Sequence, residues 1–350
     1  MILTVFIALL WAAAGFCIFL FAYNRVIAHL RSVRLKLPLM AASLLVFTAG
    51  AGLCGVMAGR TPWTSFPVVV LVFAIVQDVV RMARHRRCLA EGPVEEHNAG
   101  LSLLGPITTT NLAVRRYEVP LPGWGGGRTR IVQLTDLHVQ AGFPMEYYHG
   151  VMERVRELNP DLLVLTGDYL SRGQALPLLK RALTGAEARL GCYAILGNHD
   201  VWQDAAGITE VLRSCGFQRL PDTWERIETS PGHTLVLSGC EHPWGGRRWT
   251  PPPAGPSEPV LVLTHTPENI PRISDTGATA VFAGHYHAGQ AVLPLLGPII
   301  VPARSGRLFY HGHFLVDGTH LFVNAGVGCA FPPVRVYCQP EIIAVDLVRA

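Results

Sequence analysis

Twenty-four residues pass before the first charged side chain, Arg25, and from Ile2 to Tyr23 the chain is almost wholly apolar. A second uncharged run extends from Leu37 to Gly59, bounded by Lys36 and Arg60. A helix of roughly 20 apolar residues crosses a bilayer core of about 30 Å, so each run predicts a membrane-spanning helix. A third run, Phe66 to Val80, is shorter and holds Pro67, Gln77 and Asp78, with Trp63 and Met82 placed to extend it at the two interfaces. Basic residues follow the first run instead of preceding it, which favours an anchor over a cleaved signal peptide. Ala99 to Val114 also lacks charge, but Pro106, the Thr108–Thr110 run and Asn111 read as a linker or interfacial piece.

Flanking charge sets the expected orientation. Arg25, Arg31, Arg34 and Lys36 lie in the first loop, Arg60 alone in the second, and Arg81, Arg84, Arg86 and Arg87 after the third run. With three spans, the positive-inside rule puts the first loop and everything after Arg81 in the cytoplasm. A fourth span at Ala99 to Val114 would reverse the side of the remainder. The whole 350-residue chain is 50% hydrophobic and only 15% charged, which excludes disorder and a wholly soluble protein. A net charge of +4 gives no reason to expect nucleic acid as a partner. None of the eight cysteines has C-x-x-C spacing, so free thiols are expected instead of a disulfide scaffold or structural zinc.

After Arg115-Arg116 the composition becomes that of a soluble domain. Pro120, Pro122 and the Gly123–Gly127 stretch form an entry loop. Apolar strand-like runs then alternate with helical periodicity: strands at 130–134, 162–166 and 192–196, helices at 146–158, 175–183 and 205–214. Later runs at 233–237, 260–264, 279–283, 291–293, 321–324 and 342–346 are strands with few long helices between them. A βαβαβ start followed by many short strands predicts an α/β fold with two packed sheets and helices outside. The divisions expected are an anchor at 1–90, a linker at 91–115 and a catalytic domain at 116–350.

Polar residues follow these strands with regularity. RIVQL leads through Thr135 into Asp136-Leu137-His138, and LLVLT into Gly167-Asp168. YAIL leads into Gly197-Asn198-His199-Asp200, VLVLT into His265, and TAVFA into Gly284-His285-Tyr286-His287. Sites form just beyond strand carboxyl ends, where rigid strands fix short loops. Carboxylate oxygens and imidazole nitrogens without thiolate suit Mn, Fe, Zn or Mg. There are too many donors for one ion and about enough for two, the arrangement that hydrolyses phosphoesters.

The ordered set D-x-H, G-D, G-N-H-D, a lone His and G-H-x-H resembles the calcineurin-like metallophosphoesterase superfamily over about residues 116 to 350, and the N-terminal runs resemble its membrane-anchored bacterial subgroup. The resemblance implies an αββα double-sheet sandwich preceded by transmembrane helices, and two divalent metal ions. It implies Asp136, His138 and His287 on one metal, Asn198, His265 and His285 on the other, and Asp168 bridging them. His199 would face the substrate phosphate and Asp200 would orient its imidazole. A metal-bound hydroxide would attack phosphorus. Ser171 departs from the family pattern, which often has an acidic residue there.

The expected activity is thus that of a multi-pass membrane phosphohydrolase. The expected substrate is phosphorylated and, for an enzyme held at the bilayer, lipid-linked, as in UDP-diacylglucosamine hydrolases, with membrane lipid as the other partner. The alternative is a catalytically inactive scaffold, which loss of ligands would mark and which this sequence does not display. Two further motifs are weaker: Glu241-His242-Pro243-Trp244 with Arg247-Arg248 could line the substrate groove, since arginine forks suit phosphate oxygens, but reads first as a solvated, Pro-rich surface loop; Tyr310-His311-Gly312-His313 reads as structural or rim, a strand with no carboxylate beside its histidines.

Overall fold

The computed structural model describes residues 2–25, 33–58, 65–97, 105–245, 248–255, 258–294, 297–298, 300–303 and 307–350. Trp63, Arg247 and the first part of the Ala99–Val114 run lie outside them. The chain divides into two compact units, Met1–Arg87 with Ile299–Leu308, and Cys88–Pro298 with Phe309–Ala350.

In the first unit α1 is Ile2–Arg25, α2 Val33–Leu45, α3 Ala51–Ala58 and α4 Ser65–Cys88, with a π-helical stretch, Val46–Gly50, joining α2 to α3. Among the described residues, three helical stretches are long and apolar enough to cross a membrane: Ile2–Asn24, Pro38–Met57 and Ser65–Cys88. The third is longer than its apolar run suggests, because the helix continues through the arginine-rich end to Cys88. Asp78 is paired: its carboxylate accepts from Arg307 Nη1 at 3.1 Å, and Asn24 Oδ1 accepts from Val301 N at 3.2 Å.

The second unit carries two mixed sheets. The first is built from β1 (Glu95–His97), β2 (Ala113–Leu121), β3 (Thr129–Leu134), β4 (Leu162–Leu165), β5 (Cys192–Ala194), β6 (Phe217–Arg219) and β15 (Glu341–Arg349), in the order β1-β2-β15-β3-β4-β5-β6. Helices α5 (Met145–Glu157), α6 (Leu176–Ala182), α7 (Asn198–Gln203) and α8 (Ala205–Ser214) lie on the crossovers between its parallel strands. The second sheet runs β13-β14-β10-β9-β8-β7. Its strands are β7 (Trp224–Ser230), β8 (His233–Cys240), β9 (Val260–Thr264), β10 (Ala280–Ala283), β13 (Gly312–Val316) and β14 (Thr319–Val323). A short helix, α9 (Ile270–Ser274), follows β9, and the hairpin β11 (Val292–Leu293) with β12 (Gly297–Pro298) lies outside both sheets.

Strand alternation explains why two cores form. In β4, Leu162 and Val164 face the second sheet, packing with Leu237, Leu263 and Phe282. Leu163 and Leu165 face the other way, onto Val151, Val155, Leu179 and Leu212 of the helices. Strands apolar on both faces must be covered on both, which makes a layered double-sheet sandwich the arrangement that buries them. The parallel strands β3, β4 and β5 of one sheet and β9 and β10 of the other then deliver their following loops to one site.

Candidate metal centre

Asp136, His138, Asp168, Asn198, His265 and His287 are all buried, and His199 and His285 are half-buried. The five loops carrying them converge. Asp136 N donates to Gly167 O at 2.9 Å and His138 N to Asp168 O at 3.0 Å, tying the first two loops together. Gly284 N donates to His265 O at 3.0 Å, tying the last two. Close approach is built in by small residues: a Cβ on Gly284 would lie 2.3 Å from Asp136 Oδ2, and one on Gly167 would lie 2.4 Å from Gly197 N.

The backbone is strained where the donors sit. Asp136, His138, Asp168, His285 and His287 have φ of 51°, 43°, 58°, 73° and 50°, a region that non-glycine residues seldom occupy. Such clusters persist when surrounding structure over-determines them, and they concentrate at functional sites.

Two donor groups result. In one, Asp136 Oδ1 lies 3.3 Å from His287 Nε2, which lies 3.1 Å from His138 Nε2. In the other, His265 Nε2 lies 3.1 Å from Asn198 Oδ1 and 3.2 Å from His285 Nδ1. Asp168 Oδ2 stands between them, 3.6 Å from His138 Nε2 and 3.2 Å from His265 Nε2.

This donor set fits a pair of cations. Asp136 Oδ1 is buried with no hydrogen-bond partner, although Oδ2 of the same carboxylate accepts from Thr135 Oγ1 and from His285 N. A buried carboxylate oxygen left bare costs free energy unless something cationic meets it. Two ring nitrogens away from the cluster are engaged: His265 Nδ1 is 2.7 Å from Thr166 O, and His138 Nδ1 is 3.4 Å from Ser171 Oγ. His265 Nδ1 donates to that carbonyl, which turns its Nε2 toward Asn198 and Asp168, as metal-ligating imidazoles require. Ser171 thus touches a ligand candidate from the position where an acidic residue was expected.

Electrostatics divide the two donor groups: against burial, Asp168 and Asp136 hold His265 up at about 9, so its Nε2 gives up a proton when a cation binds there. Burial, reinforced by His199, pushes the His138 pKa down to about 3, and burial with His138 and Arg335 nearby takes His287 well below its ordinary value. Both are therefore neutral and able to coordinate at pH 7. Burial raises the Asp136 carboxyl to about 6, with the Asp168 charge adding to it against His265. Burial alone would also raise Asp168, but His265, His199 and His138 around it hold it well below its usual range.

Asp200 requires a correction. Its carboxylate does not orient the His199 ring: Oδ2 accepts from Gly197 N at 2.8 Å and Asp168 N at 2.7 Å, and Oδ1 from Tyr169 N at 2.8 Å. The reason is local. Asp200 falls in the first turn of α7, where an acidic side chain folds back onto the amides that a helix start leaves unpaired. Its effect is to hold the Asp168 loop. His199 itself stands at the centre, its ring 4.9 Å from that of His138.

The motifs read as structural also differ in detail. His311 does have a carboxylate beside it, since its Nε2 lies 3.0 Å from Glu341, while His313 stacks on Phe322. Glu241 is not solvated but buried, accepting from Arg219 Nη2 at 2.6 Å and Leu196 N at 2.8 Å. One residue went unread altogether. Arg335 is fully buried, and among the described residues no carboxylate pairs with it. Its guanidinium donates to the carbonyls of Ala325, Gly326, Gly328 and His287. Gly328 N in turn donates to Asp136 O, so this arginine braces the backbone behind Asp136 and His287.

Two layered sheets with His/Asp loops at their strand ends define a dimetal phosphoesterase. Residues 129–289 match the calcineurin-like phosphoesterase family, and the chain carries a calcineurin-like metallophosphoesterase domain, an enzyme domain that takes two divalent metal ions. The chain is 28% identical over 255 residues to the uncharacterized metallophosphoesterase YkuE of Bacillus subtilis, covering 69% of this chain and 85% of that one. It is 29% identical to the phosphodiesterase YaeI of Escherichia coli, covering 63% and 82%. It is also 26% identical to the UDP-2,3-diacylglucosamine pyrophosphatase LpxG of Chlamydia muridarum, covering 61% and 82%.

Proposed function

We propose that this chain is a membrane-anchored phosphodiesterase or pyrophosphatase acting on a lipid-linked phosphate, with an anchor at 1–90 and a catalytic domain at 116–350. The observation that carries the reading is the position of Asp168, whose Oδ2 lies within 3.6 Å of a histidine nitrogen from each donor group. In this reading Asp136, His138 and His287 hold one cation, Asn198, His265 and His285 the other, and Asp168 is shared. Such a cation pair lowers the pKa of water and offsets charge on phosphate oxygens.

The chain's own residues supply the rest. Thr166 O fixes the His265 tautomer, Ser171 contacts the His138 ring, and Asp200 ties the Asp168 loop to the start of α7 through the amides of Asp168, Tyr169 and Gly197. His199 faces the centre beside His138, where an imidazole is placed to protonate a departing oxygen. Three candidate spanning helices among the described residues, with arginines after the third, support a cytoplasmic catalytic domain. A substrate with acyl chains, such as the one in the name of the LpxG relative, suits an enzyme held at the bilayer.

The test uses the full chain in detergent, loaded with Mn and given bis(p-nitrophenyl) phosphate and UDP-diacylglucosamine. Asp168→Asn is expected to lower kcat by at least about a thousandfold and to halve the bound metal, because one neutral amide replaces the shared anion. Wild-type activity in the variant would overturn the dinuclear reading.

A further inference from the structure

The loop that follows β8 brings an indole to the centre. The Trp244 ring centroid lies 5.1 Å from that of His285 and 5.5 Å from that of His265, tilted by 58° and 67°. The loop is fastened on several sides. Trp244 N and Gly245 N donate to Glu241 O at 3.0 and 2.7 Å, Glu241 N donates to Asp222 Oδ1 at 2.9 Å, and Asn269 Nδ2 donates to His242 O at 2.7 Å. Below it the Glu241 carboxylate is clamped by Arg219.

Trp244 combines a ring packed on two of the candidate ligands with an open N–H, whereas the unpartnered Nε1 of Trp202 is sealed from solvent. The two buried indoles of this domain spend theirs internally: Trp124 Nε1 donates to Gly127 O at 2.7 Å and Trp249 Nε1 to Ser238 Oγ at 3.1 Å. Trp244 is half-buried, and among the described residues its Nε1 has no acceptor and is not sealed from solvent. A tryptophan with its ring packed and its donor left open is the form this side chain takes at binding surfaces. A second half-buried indole, Trp202, lies 5.5 Å from the His199 ring.

We propose that Trp244 is the platform for a ring-bearing arm of the substrate. A planar base or aryl group esterified to the phosphate stacks on the exposed part of the indole, and Nε1 donates to an oxygen of that arm. This rests on the phosphohydrolase reading and narrows it: diesters and pyrophosphates with an aromatic or nucleoside arm are selected over those with alkyl arms only. Stacking on an aromatic side chain discriminates by ring presence and not by base identity, because every base offers a π-face.

The full-length chain in detergent with Mn is compared as wild type, Trp244→Phe and Trp244→Ala. Three readouts are taken: metal content, KM and kcat for bis(p-nitrophenyl) phosphate and for ring-free glycerophosphoethanolamine, and quenching of tryptophan emission by UMP and by glycerol 3-phosphate. For Trp244→Ala, KM for the aryl diester is expected to rise about tenfold, the loss of one base–aromatic stack, with kcat within about twofold. KM for the ring-free diester stays within about twofold, two equivalents of metal are kept, and Trp244→Phe restores most of the aryl KM. UMP quenches wild type at concentrations about tenfold lower than glycerol 3-phosphate does, and Trp244→Ala loses that difference.

Equal KM changes for both diesters, or no change in either, overturn the proposal. So does loss of metal in Trp244→Ala, which would make the indole a brace for His265 and His285. If wild type cleaves neither diester nor UDP-diacylglucosamine, the hydrolase reading fails separately, and the quenching comparison still decides whether Trp244 receives a ring.

Discussion

At the scale of single residues, the centre depends on groups that never touch a cation. Arg335 is the sharpest case, a fully buried guanidinium neutralised by carbonyl dipoles and not by a carboxylate. A lysine offers one nitrogen and cannot reach acceptors spread from Ala325 to His287, so Arg335→Lys is expected to cost about 3 kcal/mol, one or two carbonyls being left bare. It should also weaken metal binding by about tenfold, since Asp136 and His287 lose their backing; this is within the range measured when supports behind ligands are removed. Thermal unfolding and Mn titration check the two effects, and full metal affinity in the variant would refute the bracing role. The seven donor-bearing positions were legible in the sequence because their chemistry is carried by the side chains themselves. Arg335 was not, because its partners are backbone carbonyls that no residue name announces. Asp200 was misread for a related reason: its partners are backbone amides, one at the start of its own helix and two in the loop that carries Asp168.

At the scale of elements, apolar strands followed by polar loops were readable and strands with mixed faces were not. Val260–Thr264 and Ala205–Ser214 fall where periodicity puts them. β2 was passed over as an entry region, since Arg115, Arg116, Glu118 and Pro120 disguise a strand whose inward face is Ala113, Tyr117 and Val119. β7, with only Ile227 and Thr229 buried, was missed likewise. The junctions between elements are tight where the loops meet. A methyl group at Gly284 would come within 2.2 Å of Thr135 Oγ1 and 2.3 Å of Asp136 Oδ2. Gly284→Ala is therefore expected to displace the Asp136 loop, destabilise the domain by about 1–3 kcal/mol and lower metal content below two equivalents. Elemental analysis after dialysis reads it, and two equivalents retained would show that the loop yields without cost.

At the scale of the whole molecule, the long uncharged runs made the candidate spanning helices plain from length alone, because crossing a bilayer is a requirement on length. The order of strands in the sheets was not legible, because pairing between distant strands leaves little local trace. Glu341 shows what that pairing entails. Burial works to raise its carboxyl, yet His311 and Arg115, with Ala325 N, hold it down to about 2. Its folded pKa lies below the unfolded value of 4.5, so the stabilisation is complete above about pH 4.5 and is lost as pH falls toward 2. The contribution is on the order of 3 kcal/mol. Unfolding midpoints between pH 6 and pH 3 should fall in wild type and fall less steeply in Glu341→Gln, and parallel profiles would contradict the assignment.

β15 is the strand that joins the two parts of the first sheet, paired with β2 on one side and β3 on the other. It is also the stretch translated after every other described element. A nascent chain therefore holds β2 and β3 as two open edges until β15 emerges, and open edges are templates for wrong partners. Closure of the first sheet must wait for this strand, and a chain cut before Glu341 would expose both edges and be sticky instead of a smaller working enzyme.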